Sequence, residues 1–233
     1  MFPLSRLGKT NTFASPPRGE SLAFELATHP DGAATAAARA DLGLSLARAA
    51  GGQGMVLGQA LDIAAETAGR TLSLDEITAL QANKTGALIQ WTAEAGAILS
   101  QNDPKPLQAY ANALGLAFQI ADDLLDLLGE ENQTGKSLGT DLEKQKATLP
   151  VIHALQAADP RHRDELLELL NNPMAANQPA ILDFLNQYDA FDYARGKAMQ
   201  FIEQARSELE VLPPSECRDV LADLTHFVIS RSH

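Results

Sequence analysis

Cysteine is nearly absent. Cys217 is the only one in 233 residues, so no disulfide can close within the chain. That suits a reducing compartment, and a cytoplasmic location is expected. Aromatic residues make up only 5% of the chain, and β-branched side chains are scarce beside Ala and Leu. Strand formers are therefore few and helix formers many. No apolar run approaches the ~18 residues that a transmembrane helix requires, so no transmembrane segment is expected. Met1 to Thr10 has neither the charged start nor the long apolar stretch of a signal peptide. Basic residues are outnumbered, 18 Lys and Arg against 30 Asp and Glu, giving a net charge of −12. Such a chain is repelled by nucleic acid and anionic membranes, so no nucleic-acid partner is expected. The histidines show no ligand spacing. Gly8-Lys9-Thr10 ends like a P-loop, but Pro3 stands where the first glycine belongs. No internal period appears, which disfavours helical repeats and scaffolds.

What is present reads as helix throughout. After an irregular stretch over 1–19, helices are expected at 20–28, 33–50 and 53–68. Ser73 and Glu76 form a capping box that opens a long helix to about Ser100. Asp103-Pro104 caps the next, which runs to Leu128. A polar loop with Gly129, Gly135 and Gly139 follows. Further helices are expected at 141–157, 161–171, 179–188, 190–211 and 215–230. Gly54 and Gly58, four apart, allow another helix to approach closely. Nothing resembles an interdomain linker, so residues 1–233 read as one all-α domain.

Chemistry concentrates on the helix ending at Leu128. Asp122, Asp123 and Asp126 lie in a DDLLD run between apolar flanks. Like charges crowded within one turn raise each other's cost of ionisation, and a hard divalent cation relieves it. Mg2+ accepts one or two protein carboxylates together with substrate phosphate oxygens. Gln119 lies one turn earlier on the same side. Phe118, Ala121, Leu125 and Leu128 are expected to form the opposite, core-facing side. A solvated charged face is the plainer alternative, and the absence of interspersed lysines speaks against it.

Two cationic segments accompany the acidic run. Lys84-Thr85-Gly86 lies in mid-helix, where glycine costs about 1 kcal/mol relative to alanine. Either Lys84 is a phosphate-binding point charge or it is a surface lysine beside a packing glycine. Gly135, Lys136, Gly139, Asp141, Lys144, Lys146, Thr148 and Pro150 follow the acidic helix directly. A glycine-bearing loop with cationic tips can close over a phosphate, although alone it is also an ordinary polar loop. Gln59 and Asp62 lie one turn apart on an apolar helix and read equally as core hydrogen-bonders or as site residues.

Taken together, the blocks at 58–62, 84–86, 118–126 and 135–150 resemble the trans-isoprenyl diphosphate synthases, or polyprenyl synthetases. The similarity extends over about residues 20–230. Its FQIxDDxLD block, followed by GKxxGxD and KxTxP, is highly specific. The resemblance implies antiparallel helices around a deep central cavity, usually in a homodimer. It implies Mg2+-dependent condensation of an allylic diphosphate with isopentenyl diphosphate. It assigns Asp122, supported by Asp123 and Asp126, to the metal, and Lys84, Gln119, Lys136 and Lys146 to the diphosphate. Lys84, Thr85 and Gln119 would surround the reacting centre, and Lys136, Asp141 and Lys146 would belong to a closing loop. Leu88 and Trp91, on one stripe with Lys84, would line the pocket of the growing tail.

The family carries two aspartate-rich motifs facing each other. The first does not occur in these 233 residues, and neither does the basic segment upstream of it. The expectation is a chain matching the family from just past its first metal motif, with weak activity or none. A non-catalytic subunit paired with an active homologue is the alternative. A class I terpene cyclase is disfavoured by the Lys-Thr-Gly and GKxxGxD to KxTxP pattern.

Overall fold

The structure is a computed structural model that describes residues 16–32, 34–68, 73–128, 142, 148–171 and 177–230. The described residues hold helices and no strand. In chain order they are α1 (Pro16–Thr28), α2 (Ala36–Ala50), α3 (Met55–Ala68) and α4 (Leu74–Gln81). A π-helical turn (Ala82–Gly86) leads into α5 (Ala87–Ser100), followed by α6 (Lys105–Leu128), α7 (Leu149–Ala157) and α8 (Pro160–Asn171). The chain ends with α9 (Gln178–Gln187), α10 (Ala190–Glu208), a 3-10 turn (Leu209–Val211) and α11 (Glu216–Ser230).

The boundaries follow local chemistry. Thr35 caps α2, accepting from the Ala38 backbone N–H at 3.1 Å. Ser73 and Glu76 form the reciprocal capping box of α4, with bonds of 2.9 and 3.3 Å. Asp103 Oδ1 accepts from the Lys105 N–H at the start of α6. Gly51 closes α2 by donating to the Ala47 carbonyl, and α5 ends at Gln101 in the left-handed region.

The long helix expected from Ser73 to Ser100 is interrupted. Residues 82–86 widen into a π-turn, which rotates α5 relative to α4. Asn83 Nδ2 donates to the Ala79 carbonyl at 2.7 Å, satisfying an acceptor within the disturbed ladder. Lys84 therefore does not share a simple 3.6-residue stripe with Leu88 and Trp91.

Helix α6 is the central element. It packs along α10 and α5 and also meets α11, α7 and the π-turn. Its buried positions include Ala113, Ala117, Ile120, Ala121, Asp123, Leu124 and Leu127. Ile120, Leu124 and Leu127 join Leu149, Val151, Ile181, Leu185, Phe191 and Ala194 in the largest apolar cluster. The core line expected along Phe118, Ala121, Leu125 and Leu128 holds only in part: Ala121 is buried with Ala117, Ile202 and Val228, and Phe118 packs against that cluster. Phe118 and Leu125 are half-buried and Leu128 is exposed, because α6 is surrounded on several sides rather than one. No described helix is long and apolar enough to cross a membrane.

Candidate active site

A helix advances 100° and 1.5 Å per residue, so Gly115, Gln119, Asp122 and Asp126 fall within about 60° of one another on α6. Gly115 is where the π-turn rests. A Cβ built there would stand 3.6 Å from Gly86 Cα, and Gly86 is itself buried. The turn bearing Lys84 and Thr85 is thereby seated about 6 Å along the helix from Gln119, on the face carrying the acidic run. This crossing works because neither partner has a side chain at the contact.

The three aspartates differ in surroundings. Asp123 is 6% exposed and accepts a hydrogen bond from Gln119 Nε2 at 2.9 Å. That bond satisfies a buried carboxylate and fixes the rotation of the amide, directing Gln119 Oε1 elsewhere. Asp122 and Asp126 are half-buried. Asp122 lines a narrow crevice with Phe118, Ala121 and Leu125 of α6 and Val228 of α11. The acidic run therefore divides into a buried carboxylate that engages Gln119 and two more accessible ones.

Lys84 is held from two sides. Its Nζ forms a short charged hydrogen bond with Asp62 Oδ2 of α3, and the two side chains are 30% and 14% exposed. Its backbone is held by Gly58, also of α3. A Cβ at Gly58 would come within 2.2 Å of Lys84 N and 2.5 Å of Lys84 Cα. The close approach expected of the glycine pair is thus made by Gly58 alone. Gly54 instead packs against the Ala49 carbonyl in the turn between α2 and α3. Asp62, read from sequence as open between two roles, is Lys84's partner, while Gln59 is exposed. The π-turn escaped the sequence reading. Its signal was mid-helix Gly86, together with glycines at 58 and 115 on the two helices that press against it.

Thr85 and Leu88 are half-buried beside this turn. Trp91 lies where α5 packs on α2, its indole N–H donating to Ser45 Oγ at 2.9 Å. Lys136, Asp141 and Lys146 lie outside the described residues.

The donor set suits a hard cation. Asp122, Asp123 and Asp126 offer only carboxylate oxygens, and Mg2+ requires one or two of these beside phosphate and water. Among the described residues, no group of three or more His, Cys, Asp or Glu converges into a ready-made cage.

The chain matches the polyprenyl synthetase family over residues 35–188. It is 35% identical over 179 residues to a short chain isoprenyl diphosphate synthase of Methanothermobacter thermautotrophicus, covering 76% of this chain and 55% of that one. It is 36% identical over 175 residues to the farnesyl diphosphate synthase of Haemophilus influenzae, covering 71% and 58%. Among solved structures, geranylgeranyl pyrophosphate synthetase from Pyrococcus horikoshii superposes with a TM-score of 0.76 at 30% identity, over 85% of this chain and 61% of that one. A Caulobacter crescentus polyprenyl synthase complexed with calcium and isoprenyl diphosphate gives 0.73 at 28% identity, over 83% and 60%. The chain thus spans little more than half the length of the curated relatives it matches. These matches, with the all-α fold, place the chain in the polyprenyl synthetase family.

Proposed function

We propose that the chain supplies the DDLLD wall and the lysine turn of a Mg2+-dependent prenyltransferase. The reaction joins an allylic diphosphate to isopentenyl diphosphate, giving a product five carbons longer. The supporting observation is the seating of the Lys84-Thr85 turn on the α6 face that carries Gln119, Asp122 and Asp126. Bound Mg2+ supplies positive charge that stabilises the departing diphosphate. Asp122 and Asp126 would hold the cation, and Asp123 keeps Gln119 oriented. Lys84 presents its ammonium to the diphosphate, adding preorganised positive charge where negative charge develops. Thr85 and the Gln119 Oε1 face the reacting allylic carbon as it becomes cationic. The double bond of isopentenyl diphosphate attacks that carbon, and a proton is then lost. Lys136, Asp141 and Lys146 close over the substrate and exclude water. Leu88 and Trp91 bound the tail pocket. The unit acts as one helical domain in a homodimer, in a reducing cytoplasm.

These 233 residues carry one aspartate-rich motif where the family reaction uses two. Removing one preorganised donor of transition-state charge costs about 3–4 kcal/mol, roughly a thousandfold in rate. Residues 1–233 alone therefore turn over slowly or not at all.

Calorimetry with inorganic diphosphate and Mg2+ tests the site. Wild-type binding that requires Mg2+, and that weakens about tenfold or more in Asp122→Asn and in Lys84→Gln, is expected. Wild-type affinity in both variants would remove the assignment. Robust incorporation of labelled isopentenyl diphosphate by residues 1–233 would overturn the slow-turnover reading without touching the site.

A further inference from the structure

We propose that Asp62 is a positioning residue, whose carboxylate sets where the diphosphate-binding ammonium of Lys84 sits. This rests on the role given to Lys84 above and extends it to a second helix. A lysine side chain is long, flexible and loses much rotamer freedom when held. Here the losses are met before any substrate arrives. Gly58 removes freedom at the Lys84 backbone, and Asp62 holds Nζ from the same helix, one turn further on. The two contacts define both ends of the side chain.

The pair is more than a surface ion pair. Asp62 is largely enclosed, while Lys84 keeps 30% of its side chain open. An ammonium has three N–H donors, and Asp62 Oδ2 takes one. The others remain for an anion, through the exposed part of the side chain. Asp62 thus fixes the position of the Lys84 ammonium without burying it.

The sign of one measurement separates this from simple electrostatics. Removing a carboxylate near an anion site should by itself tighten diphosphate binding. Loss of positioning should weaken it. Asp62→Asn is nearly isosteric, so calorimetry with Mg2+ and inorganic diphosphate is expected to show about five- to tenfold weaker binding, a range set by lysine's rotamer entropy. In a Lys84→Gln background the same replacement should have no further effect, because Asp62 acts only through Lys84. Asp62→Glu should restore most of the affinity. Unchanged or tighter binding in Asp62→Asn would overturn the proposal, and so would an equal loss in the Lys84→Gln background. If Lys84→Gln itself leaves binding unchanged, the role of Lys84 fails first and Asp62 with it. A weakened Lys84→Gln beside an unaffected Asp62→Asn sinks the Asp62 proposal alone. A measurement on the unaltered chain guards against variants that do not fold. The Lys84 ammonium signal in side-chain NMR should keep its hydrogen-bond coupling to Asp62 when Mg2+ and diphosphate are added. Loss of that coupling on binding would show a pair that breaks, contrary to the proposal.

Discussion

Gly58→Ala is the sharpest test of how the lysine turn is held. In an open helix, alanine stabilises by about 1 kcal/mol over glycine. At Gly58 the added methyl would lie 2.2 Å from Lys84 N, 2.5 Å from its Cα and 2.7 Å from its Cβ. Ordinary carbon contacts begin near 3.5 Å, so α3 and the π-turn must separate by about an ångström. All three obstructing atoms belong to the main chain or sit next to it, and none can rotate away. Overpacking of this kind costs about 1–3 kcal/mol, so a net loss of about 0–2 kcal/mol remains after the helix gain of about 1 kcal/mol. Gly196→Ala is the matched control, since α10 leaves nothing within 4 Å of a Cβ there. It should gain about 1 kcal/mol, or roughly 2–4 °C in melting midpoint for a chain this size. Gly58→Ala should show no gain and fall by up to about 2 kcal/mol, and should weaken diphosphate binding at Lys84. Urea and thermal melts of the two variants beside wild type decide it. A Gly58→Ala protein as stable as the Gly196→Ala protein would refute the close approach of α3 to the turn.

Tyr110 gives a pH signature. Its ring is buried at 2% exposure, its hydroxyl donates to the Leu221 carbonyl at 2.7 Å, and burial pushes its pKa up to about 12. The unfolded chain releases that proton near pH 10, so the contribution is full below about pH 10 and is lost as pH rises toward 12. Urea midpoints at pH 9 and pH 11.5 should differ more in wild type than in Tyr110→Phe, the gap approaching about 2–3 kcal/mol. Parallel pH slopes would contradict this. Ser73→Ala removes one half of the α4 capping box and should cost about 1 kcal/mol by thermal melts; no change would mean that the cap contributes nothing. In an active form carrying both aspartate-rich motifs, Trp91→Ala should shift products to longer chains. Chromatography showing an unchanged product length would remove Trp91 from the tail pocket.

Much of the helix pattern was legible in the sequence because capping is local. Ser73 with Glu76, Asp103 before Lys105, and Gly51 after α2 each act within one turn, and each stands where the sequence put it. The family was legible for a related reason. Its DDLLD and Lys-Thr-Gly blocks are short, and their residue types are dictated by the charges they meet. The core line of α6 was only partly legible. Hydropathy on one helix can rank its faces but cannot say that α10, α5, α7 and α11 enclose it from several directions. That is why Asp123, as charged as Asp122 in sequence, ends up buried against Gln119.

The sequence by itself determined the helical class, most helix ends, the family and the acidic run, all of which rest on neighbours along the chain. Only the tertiary structure decided the π-turn, the pairing of Lys84 with Asp62 and the seating of that turn on Gly115. The last two join residues more than 20 positions apart, and the π-turn is pressed by helices equally distant in sequence, where glycine shows that space is needed but not which helix will fill it.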